Sequence, residues 1–71
     1  MIRNRLSILM GYRRVKITDI ERATGISHKT LTAIYYERTT MFRADVVEKL
    51  CRYFSIGVGD LLYVSDREQP E

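Results

Sequence analysis

The stretch ITDIERATGISHKTLTAIYY, residues 17–36, decides the fold because it contains two helices and the turn that joins them. Thr18 and Glu21 stand three residues apart, which is the spacing of a capping box and predicts the start of a helix. This helix is expected to run to about Thr24. Gly25 should end it, since glycine readily adopts the left-handed backbone found at helix C-termini.

The second helix of this stretch is predicted over residues 28 to about 36, with Ser27 as its N-cap. A helix turns by about 100° per residue, so Leu31 and Ile34 share one face, which must pack against the rest of the protein. The opposite face carries mainly polar or small side chains: His28, Lys29, Thr32, Ala33 and Tyr36. Such a face is suited to contacts with a ligand, but it is also typical of an ordinary solvated surface.

Apolar residues recur at helical spacing on both sides of this stretch and predict three further helices. They are expected at about residues 2–10, with Gly11 as the stop, at residues 44–54 and at residues 60–63. The inward stripe of the fourth helix would be Ala44, Val47, Leu50, Cys51 and Phe54. No alternation typical of a strand is present, so the sequence predicts an all-α, compact bundle of five short helices.

The chain of 71 residues is the size of one small domain, expected over residues 1–64 and followed by a polar tail at residues 65–71. The apolar runs are too short for a membrane span or a secretion signal. The single Cys51 excludes an internal disulfide and fits a reducing compartment. We therefore expect a cytoplasmic protein.

Charge is distributed unevenly along the sequence. Residues 1–43 hold nine Lys or Arg and three Asp or Glu, a net charge of +6. Residues 44–71 hold three basic and six acidic residues, a net charge of −3. This asymmetry indicates either a contact with a polyanion on the basic side or a solvated surface that happens to be uneven.

Catalysis and metal binding have little support in the composition. One histidine and one cysteine stand far apart in the sequence, and neither belongs to a metal-ligand pair or a nucleophile motif. Cys51 lies on the apolar stripe of the fourth predicted helix, which favours a buried structural thiol. We expect no enzyme activity, no metal or other cofactor, and no small-molecule ligand.

Residues 17–36 resemble the helix-turn-helix of the lambda-repressor/Cro-like (XRE-type) family. The residues that carry the resemblance are Ile20, Gly25, Ile26, Ser27, Leu31 and Ile34. It continues through DVVEKLCRYFSIGVGDLL, residues 45–62, which is similar to the family's fourth helix and the start of its fifth. Glu21 departs from the family, which usually has a small residue there. Either a capping box occupies this carboxylate, or the second and third helices lie farther apart than usual.

The resemblance implies a sequence-specific regulator, in most cases a repressor, whose third helix enters the major groove of double-stranded DNA. The residues expected to read bases are His28, Lys29, Thr32 and Ala33. Phosphate contacts are expected from Thr18, Ser27, Arg38, Arg43, Arg13 and Arg14. Relatives commonly bind pseudo-palindromic operators as homodimers, and the candidates for a dimer interface are Leu61, Leu62, Tyr63 and Val64. The alternative is a protein-interaction module on the same fold, such as an antitoxin or accessory subunit.

Overall fold

The computed structural model describes residues 1–39 and 41–65. Within these residues the chain forms five helices and two strands. In chain order they are β1 (Ile2–Asn4), α1 (Leu6–Arg13), α2 (Ile17–Thr24), α3 (His28–Tyr35), α4 (Ala44–Phe54), α5 (Val58–Leu61) and β2 (Leu62–Val64). The five-helix fold predicted from the sequence is confirmed, with a small sheet in addition. Residues 66–71 of the predicted polar tail lie outside the described residues.

The short sheet joins the two ends of the described chain. β1 pairs antiparallel with β2, and Ile2, Arg3 and Asn4 lie opposite Val64, Tyr63 and Leu62. The predictions that the first helix begins at residue 2 and that no strand occurs are therefore wrong. The apolar spacing of residues 2–10 is compatible with a helix, but pairing with a distant segment places the first three of these residues in a strand. The fifth helix is also shifted, because Leu62 and Tyr63 belong to β2.

Gly11 lies inside α1, so the prediction that it ends the first helix is wrong. The helix continues to Arg13, and Arg14 adopts the left-handed conformation (φ 56°) that ends it. The backbone N–H of Val15 then donates to the carbonyl of Met10 at 3.1 Å. A glycine can either lie within a helix or end it, and in α1 the residue that ends the helix is Arg14 rather than Gly11.

The turn between α2 and α3 forms as predicted. Gly25 has a φ of 79°, and its N–H donates to the carbonyl of Glu21 at 2.8 Å. The start of α2 differs from the prediction, because Asp19 rather than Glu21 receives a backbone N–H, that of Lys16, at 2.8 Å. Thr18 therefore lies within the first turn of α2 and does not cap it.

The core lies between the helices and receives side chains from each of them. Its fully buried residues are Phe54, Leu6, Ile20, Leu31, Leu50 and Leu61. The predicted stripe of α4 is buried at Leu50, Cys51 and Phe54, whereas Val47 is half-buried and Ala44 is exposed. Leu31 and Ile34 anchor α3 in this core, as their spacing predicted.

Asn4 connects β1 to two helices through its buried side chain. Its amide Nδ2 donates to the carbonyl of Ile34 in the last turn of α3 at 3.1 Å. Its Oδ1 accepts the N–H of Leu6, the first residue of α1, at 2.9 Å. Next to it, Arg3 donates to both carboxylate oxygens of Glu37 at 2.6 and 3.1 Å, which lowers the pKa of Glu37. The C-terminal end of α3 is thus bound to the N-terminal strand.

Replacing Asn4 should destabilise the fold. Asn4→Ala leaves the buried N–H of Leu6 without this partner, while the carbonyl of Ile34 keeps the N–H of Glu37 at 3.0 Å. We therefore expect the free energy of unfolding to fall by about 1–3 kcal/mol. Urea denaturation followed by circular dichroism measures the loss. The control is Ser7→Ala on the exposed side of α1, which should remain within about 0.5 kcal/mol of wild type. Equal stability of the two variants would contradict the role given to Asn4.

Two glycines should respond to alanine in opposite directions. A Cβ at Gly11 or Gly25 would meet no atom within 4 Å, so only the backbone conformation distinguishes them. Gly25→Ala forces a left-handed conformation and should cost about 1–2 kcal/mol. Gly11→Ala should stabilise by about 0.5–1 kcal/mol, because Gly11 lies within a helix. Thermal unfolding of both variants tests this, and destabilisation by Gly11→Ala would indicate that α1 ends earlier.

Candidate nucleic-acid interface

The first turn of α3 is held by Ser27, as predicted. Its Oγ accepts the backbone N–H of Thr30 at 3.1 Å and also donates to the hydroxyl of Thr30 at 2.9 Å. Thr24 adds a contact that the sequence analysis missed, since its Oγ1 donates to the carbonyl of Ile20 and accepts the N–H of Ile26. The sequence signal for this contact is the position of a threonine directly before the turn glycine. Together these bonds fix the direction in which α3 leaves the turn.

His28 and Lys29, the first two residues of α3, are exposed to solvent. The imidazole Nδ1 of His28 lies 3.6 Å from a carboxylate oxygen of Glu21 on α2. The suggestion that a capping box occupies Glu21 is therefore wrong. This carboxylate faces the start of the next helix, so α2 and α3 both contribute to the surface around His28.

Thr32 and Ala33, the other two predicted base-reading residues, are half-buried. The hydroxyl oxygen of Thr32 is shielded from solvent and has no hydrogen-bond partner among the described residues. Ala33 lines a groove of about 360 Å³ together with Lys29, and the far side of this groove includes Met41, Phe42 and Arg43. Of the four predicted base-reading residues, the two at the N-terminal end of α3, His28 and Lys29, are therefore the most exposed.

The residues predicted to bind phosphate fall into two groups. Thr18, Ser27, Arg38, Arg43 and Arg14 are exposed. Arg38 lies over the ring of Tyr36 at 5.1 Å, and Arg43 contacts Asp45 at 3.3 Å. The guanidinium of Arg13 instead donates to the carbonyl of Phe54 at 2.7 Å, at the C-terminal end of α4. Arg13 is also exposed, but its guanidinium already stabilises the fold through this bond, whereas the other five residues are accessible to a ligand.

The predicted dimer residues differ in exposure. Leu61 is buried in the core of its own chain. Leu62 and Tyr63 are half-buried, and the guanidinium of Arg5 lies 4.2 Å from the centre of the Tyr63 ring. Val64 is 68% exposed and pairs across the sheet with exposed Ile2. The accessible apolar surface of this region is therefore on the sheet.

Cys51 is a buried free thiol, in agreement with the sequence analysis. Burial raises its pKa, and the negative charge of Asp60 raises it further. A raised pKa disfavours the thiolate, which is the reactive form. In residues 1–39 and 41–65 no group of His, Cys, Asp or Glu could hold a metal ion. No helix in that part of the chain is long and apolar enough to cross a membrane.

The α2 helix, the left-handed turn at Gly25 and the N-capped α3 helix together form a helix-turn-helix of the DNA-binding type. Residues 5–67 match the family model of the Cro/C1-type helix-turn-helix DNA-binding domain. The chain belongs to this family, which is typically non-enzymatic. Comparison with curated proteins and with solved structures gives no match.

The shielded hydroxyl of Thr32 leads to a stability prediction. Thr32→Val replaces an unpaired polar group with an apolar group of the same shape, so we expect a gain of about 1 kcal/mol in the free energy of unfolding. Thr30→Val is the matched control on the same helix. It should bring no gain, because the Thr30 hydroxyl accepts a hydrogen bond from Ser27. Chemical denaturation of both variants measures these free energies of unfolding. A lower stability of Thr32→Val than of wild type would mean that the Thr32 hydroxyl is hydrogen-bonded.

Proposed function

We propose that this protein is a sequence-specific transcriptional regulator that inserts α3 into the major groove of double-stranded DNA. The observation that carries the proposal is the division of α3 into two faces. Leu31 and Ile34 are buried in the core, while His28 and Lys29 are exposed at the end of the helix that follows the turn. Family membership and the basic bias of residues 1–43 support it.

Base reading is assigned to four residues of α3. The ammonium of Lys29 donates to the acceptors on a guanine edge, and the imidazole of His28 can donate or accept. Ala33 is small enough to allow close approach or to contact a thymine methyl group. Thr32 is half-buried, and its hydroxyl is shielded from solvent in the free protein. Its assigned contact with a base is therefore made through the rest of its small side chain. The exposure of His28 and Lys29 supports first contacts at these two residues.

Phosphate binding is assigned to the residues around the two helix starts. Backbone N–H groups at a helix N-terminus attract anions, which supports contacts beside Thr18 and Ser27. Arg38 and Arg43 flank α3 from the following segment, and Arg14 adds a positive charge. Arg13 acts only through long-range attraction in this scheme, because its guanidinium is bound to Phe54. These contacts would set register and affinity rather than sequence preference.

We further propose that the protein acts in the cytoplasm as a homodimer that represses by occupying a pseudo-palindromic operator. One helix-turn-helix makes few base contacts, and a two-fold dimer doubles them at sites one helical turn apart. Leu62, Tyr63 and Val64 are the interface candidates that the monomer core leaves accessible, whereas Leu61 is already buried. A monomeric mass at high concentration, both with and without DNA, would contradict dimerisation.

The second candidate function is a protein-interaction module, such as an antitoxin or accessory subunit. The observation in its favour is a pair of exposed apolar side chains on α1, Ile8 at 64% and Tyr12 at 88% exposure. They stand four residues apart and so share one face of the helix. An apolar helix face of this kind is compatible with a partner protein.

Selection of bound sequences from random double-stranded DNA distinguishes the two functions. A regulator enriches a defined motif, and its affinity falls steeply with salt because each phosphate contact releases a counterion. The selection is run at two salt concentrations. Enrichment no greater than that of a generic basic protein would favour the interaction module, and a flat salt response would contradict groove binding.

Two substitutions separate base contacts from phosphate contacts. Lys29→Ala should reduce the preference for one base pair of the selected motif by about 1–3 kcal/mol. Arg43→Ala should weaken binding nearly equally on all sequences. It should also make the slope of the logarithm of the binding constant against the logarithm of the salt concentration shallower by about one. Binding isotherms on the motif and its single-base variants measure both effects. If Lys29→Ala weakens binding uniformly, Lys29 is not a base-reading residue.

A further inference from the structure

We infer that Glu21 on α2, which lies outside the base-reading helix, determines which base His28 prefers. The inference rests on the proposed function and deepens it. It assigns to the His28 position an adenine or cytosine, because both bases present an exocyclic amino group in the major groove. Glu21 is a positioning residue in this scheme, since it acts on the imidazole and not on the DNA.

The geometry that carries the inference is the approach of two side chains from neighbouring helices. The Glu21 carboxylate lies 3.6 Å from Nδ1 of His28, and the two side chains are 43% and 59% exposed. This separation exceeds that of a hydrogen bond, so the attraction is electrostatic in the free protein. Among the described residues, Glu21 supplies the carboxylate that lies within 4.0 Å of His28.

Glu21 is available for this contact because another residue caps its helix. Asp19 accepts the N–H of Lys16 at the start of α2, which leaves the Glu21 carboxylate free to face α3. The orientation of the histidine follows, because the nitrogen that faces the carboxylate is Nδ1. The other ring nitrogen, Nε2, is then the one left for DNA.

A carboxylate beside Nδ1 favours the neutral form of imidazole that carries its proton on Nδ1. In that form Nε2 has a free lone pair and accepts a hydrogen bond. The groups that donate in the major groove are the N6 amino group of adenine and the N4 amino group of cytosine. Without the carboxylate, the form with its proton on Nε2 is no longer disfavoured and can donate to a guanine edge.

An exposed pair of this kind contributes little to folding. The effect of Glu21 should therefore be seen in recognition and not in stability. Glu48 provides a matched control because it is an exposed carboxylate paired with Arg52 on α4 at 2.9 Å. Its ion-pair partner lies on the same helix, α4, and not on the helix proposed to read bases.

The experiment compares wild type with Glu21→Gln, Glu21→Ala, His28→Ala and Glu21→Gln/His28→Ala. Each is assayed on the selected motif and its single-base variants at about pH 8, where histidine is ordinarily neutral. His28→Ala first identifies the base pair that His28 reads. At that pair, Glu21→Gln and Glu21→Ala should reduce the preference for adenine or cytosine over guanine about five-fold or more. In the His28→Ala background, Glu21→Gln should add no further change there.

Three results would overturn the inference. One is a uniform change in affinity on all sequences after Glu21→Gln, and another is the same change in preference with and without His28. The third is an effect of similar size from Glu48→Ala. Absence of any sequence preference in wild type would instead reject the proposed function itself. Glu21→Gln keeps the size of the side chain, and its circular dichroism spectrum verifies that the fold is intact.

Discussion

The hydrogen bonds of the Asn4 side chain are the interaction on which the position of α3 depends. One amide group links the first residue of α1 to the last turn of α3, through Leu6 and Ile34. Asn4 lies in β1, and the pairing of β1 with β2 holds it in place opposite Leu62. At the protein surface, the ion pair between Arg3 and Glu37 also links β1 to the segment that follows α3.

The two ends of α3 are held by different means. Gly25 and Ser27 determine how the chain enters the helix, whereas Asn4 holds its last turn through the carbonyl of Ile34. Leu31 is buried between these points, so the opposite face has a defined direction. A preorganised face lowers the ordering cost of binding, which favours a recognition role for α3.

The helix-turn-helix could be predicted from the sequence because its signals are local. Gly25 and Ser27 each act on residues within one turn, and the bounds of α4 follow from an apolar stripe. The sheet could not be predicted, because Asn4 and Leu62 pair across most of the chain. At the site, the exposure of His28 and Lys29 follows from helical spacing. The position of the Glu21 carboxylate beside His28 does not, because Glu21 has the spacing of a capping-box residue, whereas Asp19 accepts the N–H.

Contact of α3 and its flanking segments with DNA can be tested by recording amide NMR shifts of the labelled protein while a duplex carrying the selected motif is added. If α3 binds the groove, the largest changes are expected at residues 27–33, with further changes at residues 38, 39 and 41–43 and at the start of α2. Changes confined to α1 or to residues 56–64, with α3 unaffected, would contradict this contact.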